Sequence, residues 1–227
     1  MSLRKKFIEN ENRASRIQSR NVAQSGEIFP KKDAPRQYEA VVIGVSSGGL
    51  NALSRLLPLL APDVALAIII VQHQHPHADN FLAAYLDKRC RIPVREAAEK
   101  EPILPNTAYI APPNYHLLVE ADRTFSFAST EKVNYARPSV DMLFITAAET
   151  YQSHLIGVIL TGANSDGSHG LKIIKEYGGL TIVQNPATAE AASMPEAALK
   201  ATSVDYILSL EDIGHLLNQI TREKSAN

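Results

Sequence analysis

The sequence predicts an α/β fold: a doubly wound, mainly parallel sheet with helices on both faces and a small antiparallel hairpin excursion. Two observations carry this. Short apolar, β-rich runs alternate with stretches whose apolar residues recur every three or four positions, the pattern of strand, crossover helix, strand. The chain of 227 residues, 45% hydrophobic and 21% charged, also has enough apolar material for one substantial core.

In chain order, residues 1–37 read as a polar tail or loose helix. They are rich in Lys, Arg, Glu, Asn, Gln and Ser, carry Phe7, Ile8 and Ile17 as sparse apolar points, and close with Pro30 and Pro35. Residues 38–227 read as the folded domain. Runs from Glu39 to Val45, Leu66 to Gln72, Leu155 to Thr161 and Leu180 to Gln184 predict buried strands. Leu50 to Leu60, Ala78 to Lys88, Val140 to Tyr151 and Leu171 to Tyr177 predict amphipathic helices. Between Thr107 and Phe127, Pro112, Pro113 and Asn114 interrupt short β-like runs and predict the antiparallel excursion. Ser193-Met-Pro-Glu196 fits a capping box and predicts a late helix start.

Composition narrows the function classes. A formal net charge of −1 gives no global attraction to nucleic acid or to a membrane surface, so neither is expected as a partner. The apolar stretch from Val64 to Val71 is far short of the ~20 residues that span a bilayer, and no apolar signal core follows the basic N-terminus. A single cysteine, Cys90, cannot form an internal disulfide or a multi-cysteine zinc site and suits a reducing compartment, so a cytoplasmic protein is expected.

In an open parallel sheet, ligand chemistry gathers at the carboxyl ends of the strands. The first strand ends in VVIGVSSGG, where Gly44 to Gly48 fit G-x-S-x-G, a turn that exposes a serine at a strand-to-helix bend. Ser46 is the candidate nucleophile, and Ser47 follows at the helix entrance, where free amides could hold an oxyanion. A serine needs a base. IIIVQHQHPH places His73 at the equivalent edge of the next strand, with His75 and His77 alternating behind it. ILTGANSDGSHG then supplies Asp166 after a third strand, a carboxylate suited to accept the imidazole Nδ1–H and orient the ring. Other readings compete at each point: a phosphate-holding glycine-serine turn, a histidine metal site, an aspartate in an ordinary turn. The order Ser46, His73, Asp166 departs from the Ser, acid, His order of lipase-type hydrolases.

Taken together, VVIGVSSGG, VVQHQHP, AYIAPPNYHLLV, RPSVDMLF, GVILTGANSDGSHGL and VQNPATAEAASMPEAAL, over residues 38–221, resemble the successive blocks of the CheB family of chemotaxis protein-glutamate methylesterases. The resemblance implies a cofactor-free serine hydrolase that removes methyl esters from receptor glutamates, often with glutamine deamidation, acting on the cytoplasmic helical bundle of a methylated chemoreceptor. It places the nucleophile on Ser46, the base on His73 and the acid on Asp166, with oxyanion or loop support from Ser47, Gly162 and Ala163 and with no metal. A related esterase or amidase acting on another substrate, and a non-catalytic phosphate- or nucleotide-binding module, are the alternatives. Two departures stand out. Ala163 and Asn164 replace the methionine and second glycine of the family's usual T-G-M-G-x-D-G loop, and Glu196 stands where Met-Pro-Arg has arginine. Residues 1–37 are too few for the receiver domain of two-domain relatives, so a stand-alone catalytic module is expected, with any regulator acting in trans.

Overall fold

The computed structural model describes residues 37–78 and 81–225. The expectation for residues 1–37 therefore lies, apart from Gln37, outside the described residues.

Seven strands form one wholly parallel sheet in the order β3 (Val94–Glu96), β4 (Thr107–Ile110), β2 (Ala67–Gln72), β1 (Ala40–Val45), β7 (Leu155–Ile159), β8 (Leu180–Gln184) and β9 (Tyr206–Leu208). Its centre is β1, flanked by β2 and β7, with β8 beyond β7. These four are the runs predicted from sequence. They were legible because the central strands are buried on both faces, which leaves an almost unbroken apolar run. Alternate side chains serve opposite faces. Ala40 and Val42 join Ala67, Ile69 and Val71 in one core with Val140, Phe144, Leu171 and Ile174. The helices of that layer are α3 (Val140–Tyr151), α4 (Ser168–Glu176) and α5 (Ser193–Ala201). The opposite layer comprises α1 (Gly49–Leu56), α2 (Phe81–Asp87) and α6 (Leu210–Ser225). Among the described residues no helix is long and apolar enough to cross a membrane.

The region between Thr107 and Phe127 differs in part from expectation. Thr107–Ile110 is β4 and pairs in parallel with β2 and β3 (Val94–Glu96). Its four residues are all buried, as a strand inside the sheet requires. The antiparallel excursion is the hairpin of β5 (His116–Val119) and β6 (Phe125–Ala128). The capping box at Ser193 does not form. Ala192 is the cap, without a side-chain bond, and the Met194 amide donates instead to Gly162 C=O at 2.9 Å. A contact distant in sequence has taken over a task that the local pattern assigned to a serine.

The chain runs outward from β1 to β2 on one side and returns to place β7 on the other. The carboxyl ends of β1 and β7 thus flank the point where the winding reverses, the place where an open α/β sheet leaves a crevice.

Candidate active site

Ser46 follows β1, His73 follows β2 and the Asp166 loop follows β7, so three adjacent strands deliver the three predicted residues to one edge. In the β1–β2 register Val45 faces Gln72, and Ser46 and His73 are the next residue on each strand. Bonds across the strand ends hold them there. The Ser46 amide donates to Thr161 C=O at 3.0 Å and the His73 amide to Val45 C=O at 3.1 Å. The Gln72 carboxamide donates to the carbonyls of both Ser46 and His73, at 3.0 and 2.9 Å.

The turn around Ser46 has its own backbone logic. Ser46 is absent from the residues with positive φ, and the left-handed position falls on Gly48 at φ 78°. Glycine tolerates that conformation without a steric penalty. At Gly44 the need is space, since an added Cβ would lie 2.3 Å from Val140 Cγ1 where α3 meets β1. Ser47 is exposed. Its carbonyl accepts the Thr161 hydroxyl at 2.8 Å, while Thr161 Oγ1 also accepts the Ala191 amide at 2.8 Å. Thr161 thereby ties the serine turn to the segment before α5.

His73 and Asp166 are directly bonded. Nε2 of His73 lies 2.8 Å from Asp166 Oδ2, with the imidazole 13% exposed and the carboxylate fully buried. The expected partner of Asp166 was Nδ1–H; the ring nitrogen facing the carboxylate is instead Nε2, and Nδ1 faces the Asn164 carboxamide at 3.1 Å. The difference comes from the loop after β7, which brings Asn164 and Asp166 to opposite ring nitrogens.

Asp166 sits against the start of α3 and accepts from the amides of Val140 at 2.7 Å and Asp141 at 3.2 Å. The Ser139 hydroxyl donates at 2.8 Å and the Asn134 carboxamide at 3.0 Å. Burial opposes ionisation, but the bonds from His73, Asn134, Val140 and Ser139 outweigh it and hold the carboxyl below its ordinary range. The first amides of α3, which a helix leaves without internal partners, thus point at a negative charge. Asn134 also donates to Asp141 Oδ2 at 2.8 Å, and the Gly170 amide donates to Asp141 Oδ1 at 2.7 Å. Burial pushes the Asp141 carboxyl up, and the nearby charge of Asp166 adds to this. The β5–β6 hairpin supports the same region. Buried His116 accepts the Ser139 amide at Nδ1, 3.2 Å, and its Nε2–H donates to Glu131 C=O, 3.0 Å.

Sequence reasoning did not assign roles to Asn134, Ser139, Thr161 or Asn164. Asn134 and Ser139 lie beside or within the RPSVDMLF block, yet nothing in their spacing says that they meet Asp166 across 32 and 27 positions. Of the three residues expected to support an oxyanion, Gly162 cannot lend its amide in this arrangement, because that amide donates to Ala191 C=O at 2.9 Å. Gly162 supplies space instead: an added Cβ would lie 2.0 Å from Met194 Sδ and 3.1 Å from Ser46 Cβ. The amides of Ser47 and Ala163 bond nothing among the described residues. His75 and His77 turn toward each other, with ring centroids 5.6 Å apart, and among the described residues no three metal-binding side chains converge.

A parallel α/β sheet that gathers a serine, a histidine and a buried, ionised aspartate at its winding switch has the arrangement of a hydrolytic enzyme. Comparison with known proteins gives the class a family. Residues 41–217 match the model described as CheB methylesterase, and the chain belongs to that family. It is 58% identical over 179 residues to a putative protein-glutamate methylesterase/protein-glutamine glutaminase of Leptospira interrogans, covering 79% of this chain and 93% of the relative. It is 37% identical to protein-glutamate methylesterase/protein-glutamine glutaminase 2 of Caulobacter vibrioides, of which it spans 54%. The crystal structure of the Thermotoga maritima CheB methylesterase catalytic domain superposes with a TM-score of 0.78 at 35% identity, over 81% of this chain and 99% of that one.

Proposed function

We propose that the chain is a protein-glutamate methylesterase working by a serine mechanism, with Ser46 as nucleophile, His73 as base and Asp166 as orienting acid. Its substrate would be the methylated cytoplasmic helical bundle of a chemoreceptor, its second reaction deamidation of receptor glutamine, and its location the cytoplasm. The observation that carries the reading is the 2.8 Å contact of buried Asp166 with His73, one strand away from Ser46.

The proton on Nε2 is held by Asp166, which leaves the Nδ1 lone pair as the basic site. Nδ1 takes the hydroxyl proton as Ser46 Oγ bonds to the ester carbonyl carbon, and Asp166 stabilises the imidazolium that forms. The carbonyl oxygen becomes an oxyanion, for which the unengaged amides of Ser47 and Ala163 are the available donors. Collapse of this intermediate breaks the bond to the methoxy group, and the imidazolium returns its proton so that methanol leaves. Water then gives a proton to Nδ1 while attacking the acyl-enzyme; as the second intermediate collapses the bond to Ser46 Oγ breaks, the imidazolium returns its proton to that oxygen, and the glutamate acid so freed loses its proton to solvent. Deamidation follows the same course with ammonia leaving.

The decisive experiment combines methanol release from a methylated receptor fragment with trapping by a serine-directed phosphonate. Turnover together with label confined to Ser46 is expected. Label without methanol release would move the substrate to another ester or amide, and absence of both would remove the serine mechanism.

A further inference from the structure

The proposed mechanism gives Nδ1 of His73 the serine proton, and in the structure that nitrogen already has a partner. Asn164 Nδ2 lies 3.1 Å from it. The orientation of that carboxamide is fixed from its other end. The Asp166 backbone amide, which can only donate, reaches Asn164 Oδ1 at 3.0 Å, so the oxygen is spent on the loop and the NH2 group faces the ring. A donor facing Nδ1 requires that nitrogen to be unprotonated. The ring proton is then on Nε2, where Asp166 Oδ2 accepts it at 2.8 Å. Each bond in the sequence of amide, carboxamide, imidazole and carboxylate sets the direction of the next.

An imidazole nitrogen has one in-plane lone pair, so Nδ1 accepts from Asn164 or from Ser46 but not from both. Among the described residues the Ser46 hydroxyl makes no hydrogen bond. Once Nδ1 carries the serine proton, the Asn164 NH2 would oppose an N–H, donor against donor. The Asn164–His73 bond therefore belongs to the ground state alone and must break before the transition state, which raises the barrier to attack. We propose that Asn164 is a positioning residue that latches the basic nitrogen of His73 in the resting enzyme, and that an occupied site must release this latch before Ser46 can be deprotonated. The proposal rests on the mechanism above.

The test uses the full chain and the variants Asn164→Gly and Asn164→Asp, measuring phosphonate labelling of Ser46 from acid to alkaline pH and the imidazole 15N shifts of the resting protein. The charged groups linked to the ring by hydrogen bonds are Asp166 at Nε2 and Asp141 behind it through Asn134; Glu190 lies over Gly48. Asn164→Gly should label roughly three- to tenfold faster, the worth of one neutral hydrogen bond. Asn164→Asp keeps an acceptor for the Asp166 amide but offers one to Nδ1 too, and so holds a proton there. Its labelling should fall at least about tenfold at neutral pH and recover as pH rises. The parent should show protonated Nε2 and bare Nδ1. A parent ring protonated on Nδ1 would overturn the latch whatever the rates. So would an Asn164→Gly protein no faster than the parent, or two variants that lose labelling equally at every pH, since that pattern marks loop support. If the parent fails to label Ser46 at all, the mechanism itself falls; a labelled parent with an indifferent Asn164→Gly removes the latch and leaves the mechanism standing.

Discussion

Burial would raise the pKa of Asp166, yet the donors around it hold its carboxyl low. A group with a depressed folded pKa adds stability above the ordinary carboxylate range, about pH 4, and that stability is lost as pH falls through the folded value. Asp141 runs the other way: with its folded pKa raised by burial, it favours folding below the ordinary range and loses that contribution as pH rises through the folded value. Asp166→Asn should be costly twice. Its single oxygen cannot replace a carboxylate that accepts from His73, Asn134, Ser139, Val140 and Asp141, so about 1–3 kcal/mol of stability should be lost for each buried donor left unpaired. Turnover should fall by about 10⁴, as for the equivalent change in a well-studied serine protease. Thermal denaturation and methanol release check the two effects separately. Ser46→Ala should abolish turnover, with losses up to about a millionfold, whereas Ser47→Ala should only slow it because the role proposed for Ser47 falls on its backbone amide. Equal losses in both would put the nucleophile in doubt. Burial, with the Asp87 charge beside it, pushes the Cys90 thiol up to about 11. Alkylation of the native protein near neutral pH should therefore run roughly a hundredfold slower than for an ordinary thiol, and unfolding should abolish the difference.

At the scale of elements, the acid loop and the start of α5 clasp each other. The Gly162 amide donates to Ala191 C=O and the Met194 amide to Gly162 C=O, both at 2.9 Å. Gly162→Ala would drive a Cβ into buried Met194 and toward Ser46, so the clasp must open or the serine must shift. Overpacking of this kind costs about 1–3 kcal/mol, and a lowered Tm with a reduced kcat is expected. A full kcat at lower Tm would show that Met194 alone yields. The same elements show what a sequence can and cannot reveal. Central strands such as β1 and β2 were legible because burial on both faces writes an apolar run. The three-residue strands β3 and β9 (Tyr206–Leu208) are too short to show a period. The helix α3 was legible over its full length, but its role in capping Asp166 was not, because the contact spans more than twenty positions. Ser46, His73 and Asp166 were legible because each follows a strong strand. The ring nitrogen that meets Asp166 was not, since it depends on where one loop carries Asn164. The capping box failed for a related reason: a local motif predicts a local bond, and here Gly162 satisfied the helix amide from a distance.

At the scale of the molecule, the winding reversal beside β1 explains why Ser46, His73 and Asp166 collect where they do. There β1 leads to α1 on one face of the sheet and β7 to α4 on the other, so the loops after β1, β2 and β7 can meet without a helix crossing between them. Everything the proposed mechanism uses lies between Ser46 and Met194, within a compact unit that runs from Pro35 to Asn227. The sheet and both helix layers are likewise built from Ala40 onward. Two consequences are expected. A version starting at Gln37 should fold and release methanol from methylated receptor fragments at a rate close to that of the full chain. Neither protein should respond to a small-molecule phosphodonor, because a phosphorylation switch needs an element whose packing changes with the new charge, and no step of the mechanism contains one. The two proteins should be compared at equal concentration, with and without phosphodonor. A phosphodonor-dependent increase confined to the full chain would make residues 1–36 a regulatory element. A marked increase on truncation alone would identify those residues as an autoinhibitory segment, and a truncated protein without activity would mean that the catalytic unit does not stand on residues 37–227 alone.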